Sequence, residues 1–208
     1  MGRREDNKRH KREALERAAL DAFRTRGYEG ASIEQIAQAA GVARGTFYLY
    51  FPDKLALFEA LCDRWYLSVQ AVLGTVAADL DRATTPADAL AVYRRMAVGL
   101  AAGVLGHTAE VEIAFRESRQ PGEAGQSLRR RERAMLDQVG AFTAIAAERG
   151  LIAVRDPKLA ALIVYGSVER LFYEALLGTP LGDPLVAGDE VLRLFAAAFG
   201  LDTGPPAA

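Results

Sequence analysis

Cysteine is almost missing from this chain. Cys62 is the single thiol in 208 residues, which excludes a disulfide framework and a thiolate zinc set and makes a reducing cytoplasm the natural compartment. Histidine is nearly as scarce, with two in the chain, His10 and His107. His107 and Glu110 have the i, i+3 spacing of a metal pair, but no matching partner motif accompanies them. Neither a metal nor a cofactor is expected. Long apolar runs are absent too, because the most apolar stretch, 159–177, is broken by Glu169, Arg170 and Glu174, which argues against a bilayer span. The opening basic residues have no apolar segment behind them, so a secretory signal is not expected. Enzyme signatures are lacking: there is no GxSxG, HExxH, GxxxxGKS/T or GxGxxG, and Cys62 has no histidine near it in sequence. Nothing therefore calls for catalysis, and Cys62 reads as a buried structural thiol.

What is present describes an ordinary globular protein, 50% hydrophobic and 25% charged, long enough for one or two domains. Net charge is close to zero but unevenly spread. Residues 1–54 carry 11 Lys and Arg against 8 Asp and Glu, and within residues 1–12 six basic residues face two acidic ones. Two readings of this excess stay open: a segment that meets an anion, or a solvated basic tail. The later run RRRER, 129–133, reads as a solvated helix face.

Helix signals dominate and no hairpin signal occurs, so the fold class is all-α. Leu15, Ala18, Ala19, Ala22 and Phe23 share one helix face. Gly27 is placed to end that helix in the left-handed region, with Tyr28 folding back on its last turn. Ser32 and Gln35 have capping-box spacing, and Thr85–Pro86 and Asp156–Pro157 open later helices. SRQPGEAG, 118–125, reads as a break. Nine helices are expected, at about 7–26, 33–40, 44–50, 53–80, 86–104, 107–117, 124–149, 156–177 and 187–200, followed by a disordered tail, TGPPAA.

SIEQIAQAAGVARGTFYLYF, 32–51, reads as two short helices joined at Gly41, with Ala37 small at their closest approach and Ile36, Ala40 and Val42 filling the junction. That is a helix-turn-helix. The aromatics alternate in FYLYF like those of a strand, but in a helix Phe47 and Phe51 stand one turn apart and can anchor it. Arg44, Gly45, Thr46, Tyr48, Leu49 and Tyr50 then fall on outward faces. Arg44 suits a guanine edge or a phosphate, Thr46 a phosphate or thymine methyl, and the two tyrosines phosphates or apolar base contacts. Gly45 lets the backbone come close to a duplex, and Lys54 can reach a flanking phosphate as a point charge.

These residues carry a resemblance. ALERAALDAF, the RGYEGAS turn and SIEQIAQAAGVARGTFYLYFPDKLALFEAL, across residues 14–61, resemble the DNA-binding domain of the TetR family of one-component bacterial regulators. Ser32 stands where the family usually has Thr, and Leu55 where it usually has an acidic residue. The resemblance implies that Arg44, Gly45, Thr46, Tyr48, Leu49 and Tyr50 face DNA, with Lys54 on the backbone. It also implies a position near DNA for Glu34, which either accepts from a cytosine amine or is a solvated helix surface.

For the remainder the resemblance implies only architecture: a DNA-binding domain at 1–54 and a helical ligand-binding and dimerisation domain at 55–208, paired by the last two helices as a four-helix bundle. The apolar stretches LAALIVYGSVERLFYEALL and VLRLFAAAFGL independently require burial on more than one face. Polar or aromatic residues at otherwise apolar positions of the middle helices are the candidates for a ligand site: Trp65, Tyr93, His107, Phe115, Tyr165, Glu169 and Phe172. Each has a plainer alternative as core or interface. The function that follows is a homodimeric repressor on a pseudo-palindromic operator, released by a hydrophobic or amphipathic small molecule. The alternatives are an activator or protein-responsive regulator of the same fold, and a helical ligand-binding or enzymatic domain with a vestigial DNA-binding segment.

Overall fold

A computed structural model describes residues 2–176, 178–180, 182 and 184–199. It is all-α, with helices α1 (Arg3–Gly30), α2 (Ile33–Ala39), α3 (Arg44–Phe47), α4 (Lys54–Arg82), α5 (Pro86–Leu105), α6 (Thr108–Ser118), α7 (Glu123–Glu148), α8 (Pro157–Leu176) and α9 (Pro184–Ala198). Three differ most from the sequence expectation: α1 begins at Arg3 and runs through a kink at Gly27 to Gly30, α9 begins at Pro184, and α3 is regular only to Phe47 before tighter turns carry the chain through Tyr50. The tail expected to be disordered lies outside the described residues. Among the described residues no single helix is long and apolar enough to cross a membrane.

Packing divides the chain into two units, Met1–Tyr66 with His107–Arg130, and Leu67–Gly106 with Arg131–Ala208. The first is built on the α1 stripe Leu15, Ala19 and Phe23, all fully buried. Gly27 interrupts α1 at φ +76°, ψ 170°, a conformation open to glycine alone, and turns Tyr28 inward. Its ring packs 5.6 Å from Phe23 and 5.2 Å from Phe58 of α4, and each such ring removed from water contributes about 1.5–3 kcal/mol. The Tyr28 amide donates to Glu117 of α6 at 3.0 Å, and its hydroxyl donates to Glu123 of α7. Burial and then the Glu123 carboxylate push the phenol well above its ordinary pKa. Arg116 closes the end of α1 by donating to the carbonyls of Phe23 and Arg24. The buried carboxylates of Glu16 and Glu110 share the Arg64 guanidinium.

In the second unit Arg149 caps the end of α4 by donating to the carbonyls of Leu80, Asp81 and Ala83. Thr85 and Asp88 form a capping box under Pro86. Backbone and hydroxyl donors of Thr84 and Thr85 hold the Asp88 carboxylate at about 2 against an ordinary 3.8. Because the folded value is the lower one, this cap's contribution is complete above the unfolded pKa and is lost as the pH falls toward 2. α5 packs on α9. α8 leaves Leu159, Leu162 and Ile163 about half exposed, and α9 does the same with Val186 and Leu194.

α2 ends differently from α1. At Gly41, φ +67°, the Val42 amide donates to the Ala37 carbonyl and the Gly41 amide to Gln38, a Schellman ending. No atom lies within 4 Å of a Cβ built there. The two turns predict unequal tolerance. Gly27→Ala is expected to cost roughly 1–3 kcal/mol in urea denaturation, and Gly41→Asn is expected to cost less than Gly27→Asn because asparagine visits the left-handed helical region. Equal losses for the two asparagine variants would contradict the assignment of the turns.

Candidate nucleic-acid interface

The reading segment is positioned from both ends by local chemistry. Ser32 accepts from the Gln35 amide at 3.2 Å while the Gln35 side chain accepts from the Ser32 amide, so α2 starts with its first donors satisfied. Ile36 and Ala37 of α2 are buried. Across the Gly41 turn, Phe47 and Phe51 are buried with centroids 5.9 Å apart, and they pin α3 to the core of the first unit.

The remaining face is open. Arg44, Gly45, Tyr48 and Leu49 are exposed, Leu49 at 75%. A Cβ at Gly45 would meet nothing within 4 Å. Thr46 is half-buried. Tyr50, expected on the outward face, is half-buried and packs against the first unit's core. It faces inward because the segment tightens after Phe47, so the 100° step of a regular helix no longer sets its direction.

Sequence spacing did not reveal what holds Arg44. Its Nη1 lies 2.8 Å from Oε1 of Glu34 on α2, and Tyr48 stands near the same guanidinium. Tyr48, followed by the Glu34 charge, raises the already high pKa of Arg44. The two residues are ten apart and meet only because the Gly41 turn folds α2 against α3. No helical periodicity signals such a pair.

Lys54, expected on a phosphate, is half-buried. Its Nζ donates to the carbonyls of Tyr28 at 2.7 Å and Ala31 at 3.1 Å and sits 4.2 Å from the centre of the Tyr28 ring. Two of its three protons are thus engaged within the protein, leaving one for an outside acceptor.

The candidate ligand residues fall in both units. Trp65, His107 and Phe115 are in the first, all half-buried. Trp65 stands edge-on to Tyr66, Phe115 lies under the Arg119 guanidinium, and His107 caps α6 without a side-chain hydrogen bond to it. Tyr93, Tyr165, Glu169 and Phe172 are in the second, also half-buried. Burial pushes the Tyr93 hydroxyl above its ordinary pKa, opposed by the Thr143 side chain. Tyr165, Glu169 and Phe172 share one face of α8 by their i, i+4, i+7 spacing. Glu110, the would-be metal partner of His107, pairs with Arg64 at 3.4 Å, and no metal-holding group of three or more His, Cys, Asp or Glu occurs among the described residues.

A helix-turn-helix, buried by two phenylalanines and presenting arginine, tyrosine and leucine outward, matches the family model described as bacterial regulatory proteins, tetR family, over residues 16–61. Those residues belong to the TetR family. The "HTH-type transcriptional regulator RutR" of Escherichia coli (strain K12) is 40% identical over 65 residues, 29% of this chain and 31% of that protein. The match therefore spans about a third of the relative's length. Among solved structures, the SmeT–triclosan complex superposes with a TM-score of 0.74 at 24% identity, over 93% of each chain. FadR from Bacillus subtilis in complex with stearoyl-CoA gives 0.66 at 21%, over 88% of this chain and 96% of that one. At such identities these likenesses show that the TetR-like fold extends through the helices beyond the matched segment.

The Lys54 geometry predicts a structural cost that a purely phosphate-facing lysine would not have. Lys54→Ala is expected to lose about 1–3 kcal/mol of stability with no DNA present, the range for charge-assisted hydrogen bonds. Urea denaturation of the free protein checks it, and an unchanged midpoint would return Lys54 to the solvent.

Proposed function

We propose that this chain is a ligand-responsive transcriptional regulator, a homodimeric repressor that binds a pseudo-palindromic operator and is released by a small hydrophobic or amphipathic effector. The observation that carries the reading is the outward Arg44–Glu34–Tyr48 cluster with exposed Leu49, on a helix-turn-helix held rigid by buried Phe47 and Phe51. Such a surface presents a cationic fork for a base edge or phosphate, with apolar contacts beside it. Arg44, Gly45, Thr46, Tyr48 and Leu49 meet the duplex. Tyr50 contributes from its partly exposed edge, and Lys54 through its remaining proton. The DNA-binding part is 1–54 and the ligand-binding and dimerisation part 55–208. The protein works in the cytoplasm, without a catalytic step.

Dimerisation is supported by the half-exposed apolar stripe of α8 and the exposed Val186 and Leu194 of α9, which a second copy would cover. A two-fold dimer can address half-sites about 34 Å apart. The effector class is supported by the aromatic candidates Trp65, Tyr93, His107, Phe115, Tyr165 and Phe172, with Glu169 as the polar exception. It is also supported by SmeT and FadR, whose structures hold triclosan and stearoyl-CoA, the first largely apolar and the second amphipathic. Release follows from linkage: if effector and operator favour different dimer conformations, each lowers affinity for the other by the same factor.

Fluorescence anisotropy on DNA from the protein's own promoter tests the reading. Specific, salt-sensitive binding is expected, and its absence sinks it. Arg44→Ala is expected to cost roughly 1–3 kcal/mol on the operator and to relax preference at one base pair. Glu34→Ala is expected to strengthen binding to random DNA, by removing a negative charge near phosphates, while lowering the operator-to-random ratio as Arg44 loses its support. The dimer has its own check: Leu162→Glu with Ile163→Glu is expected to halve the mass seen by light scattering, and an unchanged mass would move the interface elsewhere.

A further inference from the structure

We infer that the Tyr93 hydroxyl is the hydrogen-bond anchor of an effector site in the second unit, and that the effector is an uncharged, mainly apolar molecule carrying a carbonyl or ether oxygen; this rests on the ligand-responsive reading above. The hydroxyl oxygen is enclosed and meets no hydrogen-bond partner among the described residues. Buried polar atoms are bonded in the great majority of cases, so an exception needs a reason. Thr143 of α7 stands beside the phenol, but its own hydroxyl donates to the Val139 carbonyl at 2.7 Å. The phenol proton therefore has no acceptor.

Packing keeps Tyr93 from turning to find one. α5 is pressed against α4 on the side that carries Val92 and Gly103, both buried. A Cβ on Gly103 would fall 2.8 Å from Oγ of Ser68, and one on Gly99 2.8 Å from Cγ2 of Val72, so neither helix can roll on the other without a clash. Tyr93 lies about 80–100° round from that side, with Ala97, Leu100 and Val104 within about 40° of it. All four are half-buried. This flank of α5 is thus apolar and partly open along its length, while the phenol tip is enclosed. An apolar body laid along the flank brings one polar end to the hydroxyl.

Charge decides what that end can be. The buried polar or charged side chains among the described residues are Glu16, Glu110, Glu117, Ser127 and Thr143, and only Thr143 belongs to the second unit. A carboxylate brought to Tyr93 would be stripped of water with no buried cation to pair it, a penalty that one phenol hydrogen bond does not offset. A charged amine fails for the same reason, since no buried carboxylate belongs to this unit. A neutral oxygen costs far less to bury and accepts the one proton on offer. Burial pushes the phenol above its ordinary pKa, so it stays a donor at neutral pH.

Isothermal titration of the full chain with decan-2-one and with decanoate, at neutral pH and without DNA, tests the anchor. The wild type is expected to bind the ketone roughly tenfold or more tightly than the acid anion. Tyr93→Phe keeps the ring and is expected to bind the ketone about five- to tenfold more weakly, the worth of one hydrogen bond. Without ligand, Tyr93→Phe is expected to hold its urea midpoint at or above that of the wild type, because the variant loses only an unbonded hydroxyl. A lower midpoint would mean that the hydroxyl is already bonded within the protein, and it overturns the anchor. Equal ketone affinity in the two chains, tighter binding of decanoate, or no ketone binding by the wild type overturns it as well. Operator anisotropy reports separately on the wider reading: a chain released from its operator by decanoate keeps that reading and loses the anchor, and a chain that binds no operator loses the regulator reading whatever the ketone does.

Discussion

The inward turn at Gly27–Tyr28 is the constraint on which the first unit depends. One residue in a glycine-only conformation ends the α1 stripe and sends Tyr28 into the core. Every polar atom that goes with it finds a charged partner: the amide at Glu117, the carbonyl at Lys54 and the hydroxyl at Glu123. Burying a tyrosine and its peptide without partners would cost several kcal/mol. Here the same atoms join α1 to α4, α6 and α7, so the desolvation is offset by bonds that also fix the scaffold. α2 leaves from Ser32, directly after the Ala31 carbonyl that Lys54 holds. The reading segment therefore inherits its starting position from this turn.

Local signals account for what the sequence made legible. The Ser32–Gln35 box, Gly27, Gly41 and Thr85–Pro86 each act within five residues, and each has the geometry its residue types demand. Phe47 and Phe51 were readable as anchors because the i, i+4 rule holds as long as the chain is helical. Tyr50 escaped because the segment stops being regular at Phe47. Lys54 looked like a surface charge because its acceptors, 23 and 26 residues earlier, are backbone carbonyls that no side-chain pattern encodes. Glu117 escaped for the same reason, since its partner is an amide 89 residues away. The candidate ligand residues were chosen one by one as polar or aromatic exceptions. That criterion contains nothing about which of them share a unit, and the structure divides them between two.

The Arg44–Glu34 pair is more than half exposed on both sides, so it contributes at most about 1 kcal/mol to stability. Its effect is on geometry. A free arginine loses rotamer entropy of order 1–2 kcal/mol when it is fixed against a base, and an arginine already held by Glu34 has lost part of it beforehand. The guanidinium has five N–H donors, so the pairing with Glu34 leaves others free for an acceptor. The carboxylate that holds the fork also repels phosphates. On the proposed reading, orientation for a base edge and weaker binding to any backbone would come from the same residue.

α8 poses the opposite problem, a helix with too much to bury. Tyr165, Glu169 and Phe172 lie on one face and are half-buried within their own unit, while Leu159, Leu162 and Ile163 lie about 100° around the helix at roughly half exposure. One isolated apolar side chain at the surface is ordinary, but three within five residues, with the exposed Tyr173 further along the same side, make a stripe. Water is a poor neighbour for such a stripe, at about 25 cal/mol for each Å² left uncovered. In the proposed dimer a second α8 related by a two-fold axis would present the same residues in return and cover both stripes at once, which no asymmetric partner of polar surface can do. The second face is thus the one the proposed dimer would cover, which would leave the first for whatever the unit encloses.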